Sequence, residues 1–297
     1  MKRRILPISL MIIVFSFIMT LNNCKEDPPG PCVPPSPPSV QNKITRNVGE
    51  TINLTASSSD DATYSWIGPK NFTSTEQNPT ITSATEDMAG EYRCTVTIAG
   101  CTSASAVTHV IVIGILEDVR DGKTYKTIRI GTQTWMAENL KWMDPTFSAD
   151  WKIWNGDPNI GAIYGTLYNY NGSTKAALGL KPWRVPTDAD WQKLINYLGG
   201  EMVAGSKLKE EYGISPAHWK NGNKDATNTS GFTAFGSGQY DVATNLKFVD
   251  IQEMTYFWSQ TPYDPYIYIY KLTTNDGYAS QEYGYKENFY SIRLVKD

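Results

Sequence analysis

Short runs of alternating apolar and polar residues dominate the chain after residue 38. Every second residue is apolar in residues 51–56, and a similar run recurs in residues 107–113. No long helical period interrupts residues 39–114, and short alternating runs separated by turn residues are typical of all-β domains. The pattern therefore predicts a small β-sandwich over residues 39–114.

A different pattern in the second half of the chain predicts one amphipathic helix. Thr187 is placed as the N-cap, and Asp190 follows three residues later in the arrangement of a capping box. Gly199 and Gly200 mark the end of the helix. The apolar residues recur at helical spacing and form one stripe: Trp191, Leu194, Ile195 and Leu198.

Two motifs in the predicted sandwich resemble immunoglobulin domains. Tyr92 stands two residues before Cys94, as in the tyrosine corner of that fold, and Trp66 suits the core position of a sandwich. The segment resembles bacterial immunoglobulin-like and PKD-like modules in YSWIGPKNFTSTEQNPTI (64–81) and AGEYRCTVTIAGCTS (89–103). The resemblance implies a stalk or spacer.

The cysteines depart from the immunoglobulin pattern. Ala56 holds the position that would face Cys94, so Cys94 is predicted to be a buried free thiol. Cys32 and Cys101 are predicted to form a disulfide bond in an oxidising exterior, with a Cys32–Cys94 bridge as the alternative. His109 alternates with apolar neighbours in a strand pattern, so we predict a structural role for it.

The N-terminus has the pattern of an export signal. A basic start precedes an apolar run up to Leu21, which predicts a signal peptide over residues 1–23, with an uncleaved anchor as the alternative. The tetrapeptide ending in Cys24 resembles a bacterial lipobox, and the following Lys-Glu-Asp resembles the lipoprotein export signal of Bacteroidota. These resemblances imply lipidation of Cys24 and an anchor in the outer membrane, exposed at the cell surface. Residues 24–38 are Pro-rich and predict an extended tether.

Length and charge narrow the function classes. The 297 residues fit about two domains. The 27 basic residues stand against 30 acidic ones, a net charge of −3, which becomes −6 without residues 1–23. This balance argues against nucleic acid and other polyanions as partners.

Residues 117–297 contain eight of the nine tryptophans and several ordered motifs. The motifs are DGKTYKTIRIGTQTWMAENL (121–140), YGTLYNY (164–170), PWRVPTDADW (182–191), LGG (198–200), AGSKLK (204–209), TNTSGFTAFGSG (227–238), YFWSQT (256–261) and SIRLVKD (291–297). They resemble the Fibrobacter succinogenes major paralogous domain. The resemblance implies an α+β, C-type lectin-like domain with two helices, a small mixed sheet and long loops, following the all-β immunoglobulin-like sandwich.

The sequence departs from this family at two positions that often hold cysteine. Family members often carry one Cys before the Trp-Arg-Val-Pro-Thr segment and another in the C-terminal strand. Here residues 179–182 and Leu294 are not cysteines, so the domain relies on its aromatic core. A calcium-dependent lectin of this fold would need acidic and amide motifs that are absent, and Asp118 and Asp121 lack the pattern of a calcium loop. Calcium is therefore not favoured, and no metal or other cofactor is predicted.

Catalytic motifs are also missing from the sequence. It contains no HExxH, CxxC, GxSxG, Walker A or GxGxxG pattern, and His218 has no evident acidic partner. We therefore predict a protein that is not an enzyme. A glycoside-active hydrolase remains the least favoured alternative, because only the spatial separation of two carboxyl groups decides that chemistry.

Aromatic residues provide the candidate binding surface. Alternation of Tyr and Ile in residues 266–270 predicts a strand buried on both faces. Four tyrosines lie among polar and loop-forming neighbours: Tyr263, Tyr278, Tyr283 and Tyr285. These loops, together with Trp142, Trp151 and Trp154, are predicted to bind a glycan or a surface protein. The alternative is a structural subunit of a surface assembly.

Overall fold

The computed structural model describes residues 32–220, 223, 225–242 and 246–297. The predicted signal peptide, Cys24 and the first part of the tether lie outside the described residues. The chain divides into two units, Met1–Val33 and Pro34–Asp297, and every strand and helix described below lies in the second. Within the described ranges, no helix combines the length and the apolar character needed to cross a bilayer.

The described residues form eighteen strands. They are β1 (Lys43–Asn47), β2 (Ile52–Asn53), β3 (Thr63–Gly68), β4 (Phe72–Ser74), β5 (Thr80–Ile81), β6 (Gly90–Ile98), β7 (Cys101–Thr102), β8 (Ala106–Asp118), β9 (Lys123–Ile130), β10 (Gln133–Met136), β11 (Trp151–Lys152), β12 (Leu167–Tyr168), β13 (Ser237–Asp241), β14 (Lys247–Ile251), β15 (Met254–Tyr263), β16 (Tyr266–Thr273), β17 (Ser280–Gly284) and β18 (Val295–Lys296). The helices are α1 (Pro158–Tyr164), α2 (Tyr170–Lys175), α3 (Asp188–Tyr197) and α4 (Glu201–Leu208).

The N-terminal part is an immunoglobulin-like, all-β domain. Strands β8, β6, β3 and β4 form its main sheet, and β2 pairs with β5 in the second. Trp66 lies opposite Cys94 across β3 and β6, and both side chains are buried. The Tyr92 hydroxyl donates to the Met88 carbonyl at 3.0 Å, so the tyrosine corner predicted from the sequence is present.

Replacing Tyr92 by Phe tests the contribution of this corner. Tyr92 is almost fully buried, and burial raises the pKa of its hydroxyl to about 12. The variant keeps the ring and loses one hydrogen bond, so we expect the free energy of unfolding to fall by about 1 kcal/mol in urea denaturation. Tyr212→Phe, at an exposed tyrosine, is the control and is expected to change little. Equal stability of Tyr92→Phe and the parent chain would contradict the expectation.

The structure distinguishes a free thiol from disulfide-bonded cysteines among the described residues. Cys94 is a free, buried thiol, and burial raises its pKa to about 11. Cys32 and Cys101 each take part in a disulfide bond. A Cys32–Cys94 bridge is therefore ruled out, while the pairing of Cys32 with Cys101 stays a prediction.

Strand β8 joins the two halves of the folded unit. Its first half pairs with β1 and β6, and its second half pairs with β9, so one nine-stranded sheet runs through both halves. Residues 114–117, where the two predicted domains meet, are therefore part of a strand. Val110 and Val112 pack into the immunoglobulin-like core, whereas Ile111 packs into the core that follows. Alternate side chains of one strand thus attach the two cores to each other.

The C-terminal part is built mostly from β-sheet. Strands β14, β13, β15, β16 and β17 form a five-stranded sheet, in which only the pair β13–β15 is parallel. Helix α3 begins at the predicted N-cap, and both hydrogen bonds of the Thr187–Asp190 capping box are present. The predicted apolar stripe of α3 is buried in the core.

The core also fills the positions where family members often carry cysteines. Leu180 and Leu294 belong to the same buried cluster, together with Trp183 and Trp258. An apolar cluster therefore stands where the resemblance places a covalent link. Each large buried side chain contributes on the order of 1.5–3 kcal/mol through removal of apolar surface from water.

Candidate ligand-binding surface

Five tyrosines lie together on one face of the strands β15, β16 and β17. Tyr263 is opposite Tyr266 in the β15–β16 pair, and Tyr268 is opposite Tyr283 in the β16–β17 pair. Tyr285 follows directly after β17 and contacts the ring of Tyr266. Residues directly opposite in a sheet share a face, so the register itself gathers these rings. We call this surface the tyrosine face: Tyr263, Tyr266, Tyr268, Tyr283 and Tyr285.

The rings of the tyrosine face contact one another. Ring centroids are 5.0 Å apart for Tyr263 and Tyr268, 5.8 Å for Tyr263 and Tyr283, and 5.1 Å for both Tyr266–Tyr283 and Tyr266–Tyr285. These separations lie within the range of favourable aromatic pairs. Each ring therefore restricts its neighbour, and the cluster presents a partly ordered surface before any ligand arrives.

The tyrosine face is open to solvent. The exposed fractions are 49% for Tyr263, 60% for Tyr283 and 47% for Tyr285. A hydrogen bond with Tyr285 raises the pKa of Tyr266, so its hydroxyl stays protonated at neutral pH. The surface therefore combines apolar ring area with hydroxyls that can donate or accept hydrogen bonds.

Helix α3 explains why this part of the sheet is uncovered. Tyr270 follows Tyr266 and Tyr268 at every second position of β16 and shares their face. Its ring stacks on Trp191 of α3 at 5.0 Å, and its hydroxyl donates to Asp188 at 2.6 Å. The helix begins at Asp188. Tyr266 and Tyr268, which precede Tyr270 in β16, lie beyond the N-terminus of the helix and remain partly exposed.

The strand at residues 266–270 differs from its prediction. Ile267 and Ile269 are buried on one face, as expected, but Tyr266 and Tyr268 on the other face are only half-buried. Two members of the tyrosine face were therefore missed as candidates. Their every-second-residue spacing was the available signal, and the extent of α3 decided their exposure. Tyr263 and Tyr283 were predicted in loops and lie in β15 and β17.

The other predicted site residues do not belong to the tyrosine face. Trp154 is buried, its ring packs on Phe248, and its indole nitrogen donates to the Ser237 carbonyl at 2.7 Å. Trp142 lies under the Arg120 guanidinium, 3.9 Å from its ring centroid. The remaining two residues take other contacts: the Trp151 indole donates to a backbone carbonyl at 2.8 Å, and Tyr278 is exposed on the loop beside α4.

Asp118 and Asp121, the two acidic residues considered as calcium ligands, are paired with basic side chains of the protein. Asp118 is fully buried and binds the Arg120 guanidinium through both oxygens, at 2.8 and 2.6 Å. Asp121 forms an ion pair with Lys123. In the part of the chain that the structure describes, no three His, Cys, Asp or Glu side chains are grouped so that they could hold a metal ion.

His218 has an acidic partner that the sequence did not reveal. Its Nδ1 lies 2.7 Å from Oε1 of the buried Glu210, and its ring stacks on Phe235 with 3.9 Å between centroids. Glu210 lies eight residues before His218 in the chain, and the residues between the two form no regular secondary structure. His109 is half-buried in β8, and burial lowers its pKa.

The fold and the tyrosine face define the class of protein. An immunoglobulin-like domain is joined through a shared sheet to a domain with an open aromatic face. Residues 128–296 match the Fibrobacter succinogenes major domain model, and residues 30–112 match an immunoglobulin domain model. The first match spans more than half of the chain, which therefore belongs to the Fibrobacter succinogenes major domain family, as its motifs predicted.

Solved structures similar to this chain include two immunoglobulin-like domains. The Ig1 domain of mouse SynCAM 2 is 15% identical, with 25% of this chain and 93% of that chain covered and a TM-score of 0.22. The Ig-like domain of human leucine-rich repeat-containing protein 4 is 12% identical, with 25% and 84% covered and a TM-score of 0.23. A search of curated proteins found no match.

Proposed function

We propose that this protein is a non-catalytic, cell-surface binding protein of adhesion type, anchored to the outer membrane through a lipidated Cys24. Its immunoglobulin-like domain is the stalk, and its C-terminal domain is a C-type lectin-like head. The family membership and the immunoglobulin-like domain support a surface or adhesion role. The lipobox resemblance at Cys24 supports the anchor, and the mixed sheet with helix α3 packed on it supports the assignment of the head.

The tyrosine face is the observation that supports a glycan ligand best. A sugar ring presents C–H groups on its faces and hydroxyls on its edges, and exposed tyrosines offer apolar rings beside hydroxyl groups. Tyrosines also provide a large contact area at a low cost in conformational entropy. Three rings of this surface are exposed by about half or more and are held by ring–ring contacts. We therefore place metal-free glycan recognition on the tyrosine face.

A glycan array tests this proposal with the chain from Lys25 onward, which keeps the whole folded unit Pro34–Asp297. We expect selective binding that a chelator leaves unchanged. The double variant Tyr263→Ala, Tyr283→Ala is expected to bind at least about tenfold more weakly, equivalent to about 1.4 kcal/mol. Tyr212→Ala removes an equally exposed tyrosine outside the tyrosine face and should bind as the parent chain does.

Two outcomes would overturn the assignment. Unchanged binding by the double variant would move glycan recognition away from the tyrosine face, and loss of binding with chelator would require a metal. Absence of binding to every glycan would favour the second candidate, a structural subunit whose tyrosine face packs on a neighbouring protein. The exposure of neighbouring aromatic rings on one face favours that candidate as well.

A further inference from the structure

A cleft of about 970 Å³ lies between the immunoglobulin-like sheet and the C-terminal domain. We call it the junction cleft. One wall contains Lys70 and Arg93, and the opposite wall contains Arg129, Lys193 and Lys207. Its volume falls in the range of small-molecule sites, which reach about 1,000 Å³. Neither domain alone forms it, so the sequence of each domain did not reveal it.

The charge of the junction cleft is opposite to that of the whole chain. Five basic residues line it beside two acidic ones, whereas the chain carries a net charge of −3. Both acidic residues are already paired, Asp87 with Lys70 and Glu91 with Arg93. The three cations of the C-terminal wall have no carboxylate within 4.0 Å among the described residues. A concave, locally basic surface concentrates anions even on an acidic protein.

His109 lies in the cleft wall, and charged residues of both domains affect its pKa. Burial lowers its pKa, and the charges of Lys207, Arg93 and Lys43 lower it further, while Glu91 raises it. The imidazole is therefore neutral at neutral pH and can donate one hydrogen bond and accept another. Lys207 of the C-terminal domain and Arg93 of the immunoglobulin-like domain therefore both act on this imidazole.

An aromatic ring lies beside the cations. Tyr197 is 56% exposed at the end of α3, and its ring packs so closely on Gly131 that a Cβ there would lie 3.0 Å from it. The ring therefore packs against the backbone of the cleft wall at Gly131. Lys207 donates to the Leu198 carbonyl at 2.8 Å and Arg129 to the Gly131 carbonyl at 3.2 Å, and each has further N–H donors. A ring beside cations that have no carboxylate partner suits a ligand with an apolar face and an anionic group, which is the chemistry of an acidic sugar.

The walls of the junction cleft are held in a fixed relation. Strand β8 continues through both domains, and Ile111 from this strand packs against Gly231 of the C-terminal domain, where a Cβ would lie 2.7 Å from its side chain. A preorganised cleft loses less conformational entropy when it binds a ligand. The continuous strand therefore contributes directly to the affinity available here.

We infer that the junction cleft is a second binding site, separate from the tyrosine face, and that it takes an acidic oligosaccharide. The anionic group, a carboxylate or a sulfate, is placed against Arg129, Lys193 and Lys207. The sugar ring is placed against Tyr197, and His109 hydrogen-bonds a hydroxyl. A long polyanion such as nucleic acid is disfavoured, because the basic residues are confined to a cleft in a net acidic chain.

Isothermal titration calorimetry with the chain from Lys25 tests this inference. The probes are a galacturonate tetrasaccharide, a heparin-derived tetrasaccharide, neutral maltotetraose and a tetra-aspartate peptide. We expect one or both acidic sugars to bind, with the stronger one identifying carboxylate or sulfate as the preferred group. Maltotetraose and tetra-aspartate are expected to bind at least tenfold more weakly. Equal binding of tetra-aspartate would overturn the assignment to a sugar, and absence of binding by both acidic sugars would overturn the site.

Paired variants locate the binding. Arg129→Gln with Lys207→Gln is expected to weaken acidic-sugar binding at least tenfold, and Lys193→Gln, at an exposed side chain that leaves the core untouched, about threefold. The control Lys126→Gln with Lys247→Gln removes two exposed charges elsewhere and should change the affinity less than twofold. Equal weakening by the control would show that net charge alone is responsible. Tyr263→Ala with Tyr283→Ala should leave this binding intact, so failure of either site is recognised separately.

Discussion

Replacement of Arg293 by Met is expected to lower the free energy of unfolding by about 3–5 kcal/mol. The guanidinium is fully buried and donates to four acceptors: Asn139 Oδ1 at 2.6 Å and the carbonyls of Met136, Phe232 and Thr233 at 3.1, 2.7 and 3.0 Å. Methionine fills much of the volume and offers no donor. Each acceptor left without a partner costs about 1–3 kcal/mol, reduced where the chain relaxes.

The position of Arg293 explains why a charge is tolerated there. Its guanidinium lies 4.6 Å from the ring centroid of Phe232 and 5.8 Å from that of Phe257. Carbonyl dipoles and aromatic faces together replace its hydration. The side chain thereby links the C-terminal segment to the 227–238 loop, two of the family motifs that are far apart in the sequence.

Urea denaturation followed by tryptophan fluorescence measures the effect. Arg46→Met is the matched control, because Arg46 also donates to backbone carbonyls but lies closer to solvent, where water can replace it. We expect the control to lose about 1 kcal/mol or less. A similar loss for both variants would show that the buried guanidinium has no special role.

Replacement of Gly205 by Ala is expected to destabilise the protein by about 3 kcal/mol, the opposite of its effect in an isolated helix. Gly205 lies inside α4, where alanine is normally favoured by about 1 kcal/mol. Here a Cβ would lie 2.1 Å from the Tyr278 carbonyl oxygen and 2.7 Å from that of Gly277. These are backbone atoms, which cannot turn away as a side chain can, so the helix and the loop must separate.

Thermal and urea denaturation of Gly205→Ala give the sign directly. Met202→Ala is the control on the same helix, since Met202 is 68% exposed and its replacement leaves the helix–loop contact unchanged. It should stay within about 0.5 kcal/mol of the parent chain. An increase in stability for Gly205→Ala would mean that helix propensity prevails and that the loop at residues 277–278 yields freely.

Arg293 and Gly205 also show where prediction from sequence stops. Both lie in motifs that identify the family, SIRLVKD and AGSKLK, and neither role follows from local pattern. Arginine is rarely fully buried, and glycine inside a helix usually weakens it. Their roles depend on carbonyl groups supplied by segments that are distant in sequence, and only the packed structure brings those groups within reach.

The amino-acid sequence by itself determined the features that depend on near neighbours along the chain. It predicted the Thr187–Asp190 capping box, the apolar stripe of α3, the Tyr92 corner, the buried Cys94 thiol and the two family segments. A helix cap, an apolar helix stripe or a strand face depends on residues only a few positions apart. One short segment of sequence is therefore enough to predict it.

Tertiary structure alone decided which aromatic surface is open and how the two domains are joined. Trp154 is buried although it was predicted to bind a ligand. Tyr266 and Tyr268 are partly exposed because they lie beyond the N-terminus of α3, which does not cover them. Strand β8 carries both domains and creates the junction cleft between them. Burial and cleft formation depend on which distant segments pack together. The alternation of apolar and polar residues along one strand does not specify which segment packs on it.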